Sequence, residues 1–408
     1  MSPYTAIIFI SLLLIVSYIF QVISRKTNIP SVLMLMALGI IIKLFIPHTL
    51  DNLDSYLGIL GNIGLILIVL EASLDLNLHK DKTLDSLKAL FSALLCLSAT
   101  SAIVAGIIYW LNYTTFMQAA LYAVPFAVMS SAIVIPSVQN IFPKTKEFVI
   151  YESSISDILG IIFFYLFLDL NENENTGEVL GITLFQIIVT IVIAFILSYA
   201  LIWMFTKIKD NTKLFLIISS LVLLYGVGKL FHLSSLIIIV ILGLILKNQT
   251  VFFKGSLKKI HDEKEAEIIL HDLHHITLES VFVIKTFFFF LFGFSINLMK
   301  LLDIKGIFTG VLILGGTYCI RYFVLSILRV QNISLLTTIT PRGLISILLF
   351  FSIPATLFIP EFGNAPMLFT IIVTNIVMTL GLISDSKKET TEESEAPVTQ
   401  PITSDHKD

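Results

Sequence analysis

The sequence predicts an all-α membrane protein that crosses the bilayer about thirteen times. Its 408 residues are 56% hydrophobic and 13% charged, whereas soluble proteins carry about a quarter charged residues. The apolar residues form runs of roughly the 20 residues that cross a bilayer as a helix. These runs lack the two-residue alternation of a membrane β-barrel. Soluble enzymes and soluble binding modules are therefore excluded.

Thirteen apolar stretches define the predicted elements in order. They cover residues 4–23, 30–46, 56–75, 87–110, 116–141, 148–169, 181–206, 213–230, 234–247, 275–299, 305–329, 331–352 and 365–384. The first has no basic segment before it and no small-residue cleavage site after it, so we expect a retained helix and not a signal peptide. The ninth is short for a span, so twelve crossings are the alternative.

Basic residues predict the orientation, because Lys and Arg are retained in short cytoplasmic loops. They cluster in every second connection: Arg25, Lys26, Lys80, Lys82, Lys88, Lys144, Lys146, Lys207, Lys209, Lys213, Lys247, Lys254, Lys258, Lys259, Lys264 and Arg329. The intervening connections hold few basic residues, and those at 51–55 and 169–178 are acidic. We therefore expect the amino terminus outside and the carboxyl terminus in the cytoplasm of a bacterial inner membrane. This arrangement needs an odd number of crossings.

Two polar segments lie outside the predicted spans. Residues 247–274 are expected to form a cytoplasmic amphipathic connection. It contains His261, His271 and His274, and His275 directly follows it. We favour a solvated helix face for these histidines; the alternative is a metal or pH-sensing cluster. Residues 385–408 are rich in Glu, Thr, Ser and Pro, a composition typical of a disordered tail. Cys96 and Cys319 lie in apolar runs, so no disulfide or thiol metal site is expected.

Once residues near the span ends are set aside, six ionisable residues lie inside the predicted spans, where a charge is costly unless it is paired or hydrated. They are Glu71, Glu152, Asp157, Lys285, Arg321 and Arg342. At 1.5 Å per helical residue, Asp157, Lys285, Arg321 and Arg342 lie roughly 12–17 Å above the inner surface, and Glu152 about 6 Å. The charges are therefore expected near one another and near the midplane, as candidate functional groups.

The sixth stretch carries the densest polar pattern. Ser153, Ser156, Asp157 and Gly160 share one helix face by their spacing. Hydroxyl and carboxylate oxygens are suitable ligands for a hard cation. Asp157 is therefore the expected cation- and proton-binding group, facing an aqueous cavity. The alternative is that Asp157 caps a neighbouring helix or makes a structural ion pair.

Two stretches contain residues that interrupt helices. The fifth has Ser130, Ser131 and Pro136, and in the twelfth Pro341 and Gly343 flank Arg342. Proline removes a backbone donor and glycine weakens a helix, so both helices should unwind. Breaks in corresponding spans of the two halves are typical of an inverted-repeat transporter with its site between discontinuous helices. Arg342 would there neutralise exposed carbonyl dipoles.

Five motifs together resemble the monovalent cation/proton antiporter superfamily, nearest its NhaP-like and sodium/proton exchanger branch. They are EASLDL at 71–76, SSAIVIP at 130–136, ESSISD at 152–157, CIRYF at 319–323 and PRGLIS at 341–346. The resemblance covers residues 4–384. It implies an NhaA-like antiporter fold of inverted repeats with two unwound crossing helices.

The resemblance also implies a division of the membrane domain, residues 1–384. Core helices would lie at approximately 87–169 and 305–384, and scaffold helices at approximately 4–75 and 181–299. The scaffold would join two copies into a homodimer.

Residue roles follow from the same resemblance. Asp157 would bind cation and proton alternately, Glu152 would pair with Arg321, and Arg342 would support the crossing region. The cation site would include Ser130, Ser131, Ser153 and Ser156, and the crossing-helix support Pro136, Pro341 and Gly343. The sequence departs from the family pattern at Ser156, where Asn is usual, at Ser131, where Asp is common, and at Lys285, where animal exchangers are acidic.

The predicted function is secondary active exchange of Na⁺, or alternatively Li⁺ or K⁺, for H⁺ by alternating access, with a role in pH homeostasis. No cofactor beyond the transported ions and no nucleic acid is expected. An uncoupled cation channel or a membrane sensor is the alternative, and an intramembrane enzyme lacks a suitable nucleophile or metal cluster. One carboxylate predicts electroneutral one-for-one exchange. Two protons per cation become possible if Lys285 pairs with Asp157 and not with Glu71 or a carbonyl.

Overall fold

The computed structural model describes residues 3–27, 29–45, 63–64, 66–74, 83–139, 141–172, 176–207, 213–230, 235–253, 263–296 and 303–395. Helices make up most of these ranges, and no strand occurs within them. The predicted all-α class is therefore confirmed.

The helices follow one another in the order of the apolar stretches. The first seven are α1 (Pro3–Thr27), α2 (Ser31–Phe45), α3 (66–74), α4 (Thr83–Trp110), α5 (Phe116–Ala127), α6 (Ser131–Ser137) and α7 (Pro143–Glu172). The next five are α8 (Thr176–Lys207), α9 (Lys213–Leu230), α10 (Ser235–Lys247), α11 (Gln249–Phe252) and α12 (Glu263–Ser295). The last four are α13 (Ile304–Ile327), α14 (Ile333–Thr338), α15 (Leu344–Phe351) and α16 (Ala365–Glu395), with a 3₁₀ turn at Ala355–Leu357.

In the described part of the chain, seven helical segments are long and apolar enough to cross a membrane. They are Ile7–Ser24, Leu87–Trp110, Phe116–Ser137, Pro143–Asn171, Leu270–Ser295, Ile304–Ile327 and Ala365–Asp385. Shorter apolar helices cover Ser31–Phe45, Ile188–Met204, Ser219–Gly228 and Leu236–Lys247. Thirteen crossings stay a prediction, because residues 56–62, 65 and 75 of the third stretch lie outside the described residues. Other residues used in the predictions also lie outside the described residues: Lys80, Lys82, Lys209, Lys254, Lys258, Lys259, His261 and the acidic segment 51–55. The orientation therefore also stays a prediction.

Two helices extend beyond the predicted spans. Helix α12 begins at Glu263 and not near 275, so residues 263–274 continue the span that carries Lys285. Helix α16 continues to Glu395, where we expected a disordered tail from 385 onward. Both extensions are free of glycine and proline, the residues that most strongly end a helix. Residues 396–408 lie outside the described ranges.

Two three-helix units form the centre of the molecule. The first contains α4, the interrupted pair α5 and α6, and α7; the second contains α13, the interrupted pair α14 and α15, and α16. Helix α4 packs against α5, α7 and α13, while α13 also packs against α14 and α16. In both halves an interrupted helix thus lies beside two continuous ones.

The contacts show that these two units are inverted relative to each other. Tyr113, just after α4, bonds Thr309 near the start of α13 at 3.2 Å. At the other end, Ser92 early in α4 and Arg321 late in α13 both bond Glu152. Helices α4 and α13 are therefore antiparallel. Ser92 and Glu152 both lie in the first halves of their helices, so α4 and α7 run parallel.

The remaining helices pack mainly with one another. Helices α1, α2 and α12 form one group of neighbours, and α8, α9 and α10 form another that also touches α12. Gly39 and Gly293 allow the close approach of α2 and α12, because a Cβ at either position would overlap the other helix's backbone. These helices touch the central units through α7 with α8, α7 with α10, and α1 with α6.

Candidate functional site

The first helix break lies between α5 and α6 and comprises residues 128–130. Three successive backbone amides, beginning at the second residue of the break, bond to other helices or to the second break. Met129 N donates to Ser156 Oγ and Ser131 N to Asp157 Oδ2, both at 3.0 Å. Between them, Ser130 N donates to the Pro341 carbonyl at 3.0 Å. The prediction that Pro136 lies at this break was wrong, because Pro136 lies inside α6. Tertiary hydrogen bonds to these amides replace the helical ones.

The second break lies between α14 and α15, at residues 339–343. It contains Pro341 and Gly343, as the sequence predicts. Arg342 N donates to Thr374 Oγ1 at 3.1 Å, and Asn375 Nδ2 donates to the Arg342 carbonyl at 2.9 Å. The bond from Ser130 N to the Pro341 carbonyl joins the two breaks directly.

Asp157 is 1% exposed and lies against the first break. Its Oδ2 accepts hydrogen bonds from Ser131 N at 3.0 Å and Ser131 Oγ at 2.5 Å. Its Oδ1 is buried and has no hydrogen-bond partner among the residues that the structure describes. One carboxylate oxygen is therefore fixed by two hydrogen bonds, while the other accepts none from the described residues.

The other predicted site serines differ in their placement. Ser156 accepts the Met129 amide, beside Asp157. The buried Ser130 Oγ has no partner in the described ranges, and it lies where a Cβ on Gly343 would be. Ser153 donates to the Ile150 carbonyl of its own helix at 3.1 Å. Ser130, Ser131 and Ser156 thus lie at the breaks, whereas the Ser153 hydroxyl is engaged within α7.

Glu152 and Arg321 form a buried bidentate ion pair. The two distances are 3.0 Å from Nη1 to Oε1 and 2.9 Å from Nη2 to Oε2. Arg321 Nε also donates to the Leu336 carbonyl at 2.7 Å, and Ser92 Oγ donates to Glu152 Oε1 at 2.6 Å. Through these bonds the ion pair links four helices: α4, α7, α13 and α14.

Arg342 is 1% exposed and directs its guanidinium at the end of α5. Its Nη1 donates to the Val128 carbonyl and to Thr340 Oγ1, both at 3.0 Å. Val128 caps the carboxyl end of α5, where the helix dipole is negative. The Nε has no hydrogen-bond partner within the described residues. Arg342 is thus compensated by carbonyl dipoles, as the sequence indicates.

A cavity of about 10 Å³, room for about one water molecule, lies next to these groups. Its lining comprises Ala93, Cys96, Thr100, Ala127, Met129, Glu152, Ser156, Thr317, Arg321, Thr340 and Arg342. We expected Asp157 to face an aqueous cavity, but the lining contains its neighbour Ser156 and not Asp157 itself. Ser131 instead covers Oδ2 of Asp157. In this conformation the carboxylate therefore does not line the cavity.

An aromatic cluster occupies the opposite end of the two units. It comprises Tyr113, Tyr122, Phe126, Phe350 and Phe362, whose ring centroids lie 5.4–6.5 Å apart, mostly edge to face. Tyr113 follows the carboxyl end of α4, whereas the cavity is lined by Ala93, Cys96 and Thr100 near the middle of α4. The cluster therefore lies on the predicted outer side and the cavity near the middle of the helices.

Lys285 pairs with Glu71 and not with Asp157. Its Nζ lies 2.8 and 3.1 Å from the two carboxylate oxygens of Glu71, with both side chains about one-fifth exposed or less. Both charges lie within electrostatic range of Asp157. Lys285 is on α12 and Glu71 on α3, so the pair borders the central units from outside.

The predicted histidine cluster is only partly described. The rings of His271 and His275 are 4.5 Å apart on exposed positions of α12. No group of three or more metal-ligating side chains occurs in the part of the chain that the structure describes. The exposure of this pair agrees with a solvated helix face, and the metal or pH-sensing alternative stays untested because His261 lies outside the described residues.

Several polar residues at the site were not singled out from the sequence. They are Ser92, Thr340, Thr374 and Asn375, all of which contact the ion pair or the second break. The available signal was a polar residue within an apolar stretch. That signal is weak, because hydroxyls in membrane helices commonly bond their own backbone, as Ser153 does.

Comparison with known proteins agrees with this geometry. A family model described as "Sodium/hydrogen exchanger, transmembrane" matches residues 10–384. The sodium proton antiporter MjNhaP1 from Methanocaldococcus jannaschii, solved at pH 8, is similar with a TM-score of 0.69 and 20% identity over 97% of this chain and 99% of that one. An electron-microscopy structure of MjNhaP1 has a TM-score of 0.67 and 18% identity over the full length of both chains. No curated protein matches by sequence.

Proposed function

This chain belongs to the sodium/hydrogen exchanger family, and we propose that it exchanges a monovalent cation for protons across the membrane as a secondary active antiporter. The observation that carries the proposal is the Asp157 carboxylate. It is buried where two broken helices meet, with one oxygen held by Ser131 and the other without a partner among the described residues. Na⁺ is the proposed cation, with Li⁺ or K⁺ as alternatives.

The chemistry of a buried carboxylate favours alternate occupancy. Removal from water disfavours an isolated charge, so a neutralised Asp157 is the state that can move through the membrane interior. A proton or a cation supplies that neutralisation, whereas both together would leave a buried positive charge. The nearby Ser130 and Ser156 hydroxyls offer oxygen ligands of the kind that hard cations accept. Competition for one carboxylate therefore couples the two fluxes.

Alternating access is the proposed mode of transport. The core would comprise approximately residues 87–169 and 305–384 and would move against a scaffold at approximately 4–75 and 181–299. Supporting this division, α4 to α7 and α13 to α16 pack mainly among themselves. In this conformation Asp157 does not line the cavity, so the cycle would also require a rearrangement that exposes its carboxylate to water.

One-for-one exchange is the stoichiometry that the site supports best. Lys285 is engaged by both oxygens of Glu71, so it offers no second proton-carrying partner to Asp157. We further propose a homodimer in a bacterial inner membrane, with the amino terminus outside and the carboxyl terminus in the cytoplasm. No cofactor beyond the transported ions is proposed.

The test is Asp157→Asn in proteoliposomes that contain a pH-sensitive dye. We expect Na⁺-dependent proton flux to disappear, because an amide cannot exchange a proton for a cation. Ser153→Ala is the matched control, since the Ser153 hydroxyl bonds only its own helix, and it should retain wild-type flux. Na⁺-dependent proton flux in Asp157→Asn would refute the role of Asp157. Cation flux that persists without counter-flow of protons would favour the alternative, an uncoupled channel.

A further inference from the structure

The two helix breaks receive matching pairs of polar side chains. At the first, Ser156 Oγ accepts the Met129 amide at 3.0 Å and Asp157 accepts the Ser131 amide at 3.0 Å. At the second, Thr374 Oγ1 accepts the Arg342 amide at 3.1 Å, and Asn375 Nδ2 donates to the Arg342 carbonyl at 2.9 Å. In both cases two adjacent residues of a continuous helix bond the backbone of an interrupted helix. The first of the two carries a hydroxyl, and the second a carboxylate or an amide.

The fold relates these two pairs by inversion. Asp157 lies on α7, the last helix of the first unit, and Asn375 lies on α16, the last helix of the second. Helix α4 runs parallel to α7 and antiparallel to α13, as the bonds of Ser92 and Tyr113 show. Helices α13 and α16 are parallel, because Gly306 lies beside Ala365 and Gly310 beside Phe369. Asn375 is therefore the second-unit counterpart of Asp157.

The chemistry at the two positions differs in charge and in hydrogen-bond direction. Asn375 is fully buried, and its Nδ2 donates to the carbonyls of Arg342 and Ile371 at 2.9 and 2.8 Å. A carboxylate has no donor for these carbonyls. An amide of nearly the same shape holds the second break without adding a charge.

The position of Asn375 also bears on the cation site. It fixes the backbone of Arg342, and the Arg342 guanidinium reaches the Val128 carbonyl at 3.0 Å. Val128 is the first residue of the first break. Ser131, which directly follows this break, donates its amide to Asp157. A chain of hydrogen bonds and neighbouring residues therefore runs from Asn375 to the carboxylate.

We infer that Asn375 is a positioning residue of the cation site and the neutral counterpart of Asp157. Through the Arg342 carbonyl it holds the second break in the place where Arg342 compensates the end of α5. Its amide leaves Asp157 as the single carboxylate that the described residues place at the two breaks. This inference rests on the proposed antiport function.

The test compares Asn375→Ala and Asn375→Asp with the wild type over a range of pH. Asn375→Ala should lower kcat at least tenfold at every pH, because no donor reaches the Arg342 carbonyl. Asn375→Asp should retain exchange at acidic pH, where a protonated acid can donate to that carbonyl, and lose it as pH rises and the donor is lost. Within the described residues, the charged group in contact with this position is Arg342 on the break, and Tyr318 and Arg321 on α13 interact electrostatically with Arg342. All of them are present in every variant, so the rates are compared as ratios to the wild type.

A purely structural role would give a different result. In that case, the amount of folded protein would fall in both variants, while the rate per folded molecule would show no added pH dependence. Thr379→Val is the matched control, since Thr379 bonds only the Asn375 carbonyl of its own helix, and it should transport normally. If Asn375→Asp follows the wild type at all pH values, the inference is overturned.

Two further measurements keep the inference separable from folding and from the proposed function. Thr374→Val keeps the side-chain volume but removes the acceptor of the Arg342 amide. A buried unpaired amide also lowers stability, so the rate is measured per folded molecule, and kcat on that basis should fall several-fold. A wild-type kcat there would count against the positioning role. Asp157→Asn is assayed in parallel: retained exchange refutes the proposed function, whereas its loss beside wild-type behaviour of the Asn375 variants refutes only this inference.

Discussion

Ser131 contacts Asp157 through both its amide and its hydroxyl, at 3.0 and 2.5 Å. Ser131→Ala keeps the amide bond but removes the hydroxyl donor that orients the carboxylate. Hydrogen bonds to charged groups contribute about 1.5–3 kcal/mol, so kcat/KM for Na⁺ should fall on the order of tenfold. A Na⁺ titration of dye dequenching measures this change. Ser137→Ala, whose hydroxyl bonds its own helix at Ile133, should leave kcat/KM unchanged; an equal loss in both variants would contradict the prediction.

The Glu152–Arg321 pair predicts a strong dependence of stability on both partners. Either single replacement, Glu152→Leu or Arg321→Met, leaves one buried charge without its partner, which typically costs about 3–5 kcal/mol. The double replacement Glu152→Leu with Arg321→Met removes both charges and should be less destabilising than either single change. Unfolding of the purified protein in detergent measures the three free energies. A double variant whose loss equals the sum of the single losses would show that the two side chains act independently.

At the level of single residues, the sequence identifies the charged part of the site and misses much of its polar part. Glu152, Asp157, Arg321 and Arg342 stand out because an ionised group inside an apolar stretch is costly. Ser92 and Asn375 do not, because hydroxyls and amides occur in membrane helices for many reasons. Their roles depend on which carbonyl or carboxylate another helix places beside them, and one sequence does not contain that information.

At the level of helices, the two breaks differ in how well the sequence predicts them. Pro341 and Gly343 interrupt the second directly. The first occurs before Pro136, where the backbone amides bond Ser156, Pro341 and Asp157 instead of the preceding turn. A break caused by tertiary hydrogen bonds cannot be located from local composition. The ends of α12 and α16 were likewise missed, because polar helix-forming residues continue both helices past their apolar parts.

The crossing of α2 and α12 depends on two glycines. A Cβ at Gly39 would overlap the backbone of Phe290, which cannot move as a side chain can. Gly39→Ala should therefore cost about 1–3 kcal/mol, as overpacking typically does, and lower the unfolding temperature by several degrees. Gly106→Ala is the control, because nothing lies within 4 Å of the added atom and alanine favours a helix. Equal unfolding temperatures for the two variants would contradict this account of the packing.

At the level of the whole molecule, the position of Lys285 predicts the stoichiometry. Because Lys285 is paired with Glu71, exchange should carry no net charge, and its rate should not respond to a membrane potential set by potassium and valinomycin. Lys285→Met paired with Glu71→Gln, which removes both charges, should remain equally insensitive. A rate that depends on potential in the wild type but not in the double variant would instead assign a proton-carrying role to Lys285.

The molecular architecture was predicted better than its details. Apolar runs and two interrupted spans in corresponding positions were sufficient to predict inverted units, and the antiparallel α4 and α13 show that inversion. The charge of the loops predicts an orientation, but the residues that carry much of that charge lie outside the described ranges. Hydropathy measures how apolar a segment is and not how helices are placed, so the separation of Lys285 from Asp157 required the structure.

The aromatic cluster at the predicted outer end has a thermodynamic consequence for the proposed transport cycle. To admit ions from that side, Tyr122, Phe126, Phe350 and their neighbours must separate and expose ring surface to water. Hydration of apolar surface raises the heat capacity, so opening would grow more endothermic with increasing temperature. An Arrhenius plot of exchange limited by this step should therefore be curved, and its curvature should diminish when the rings are made smaller.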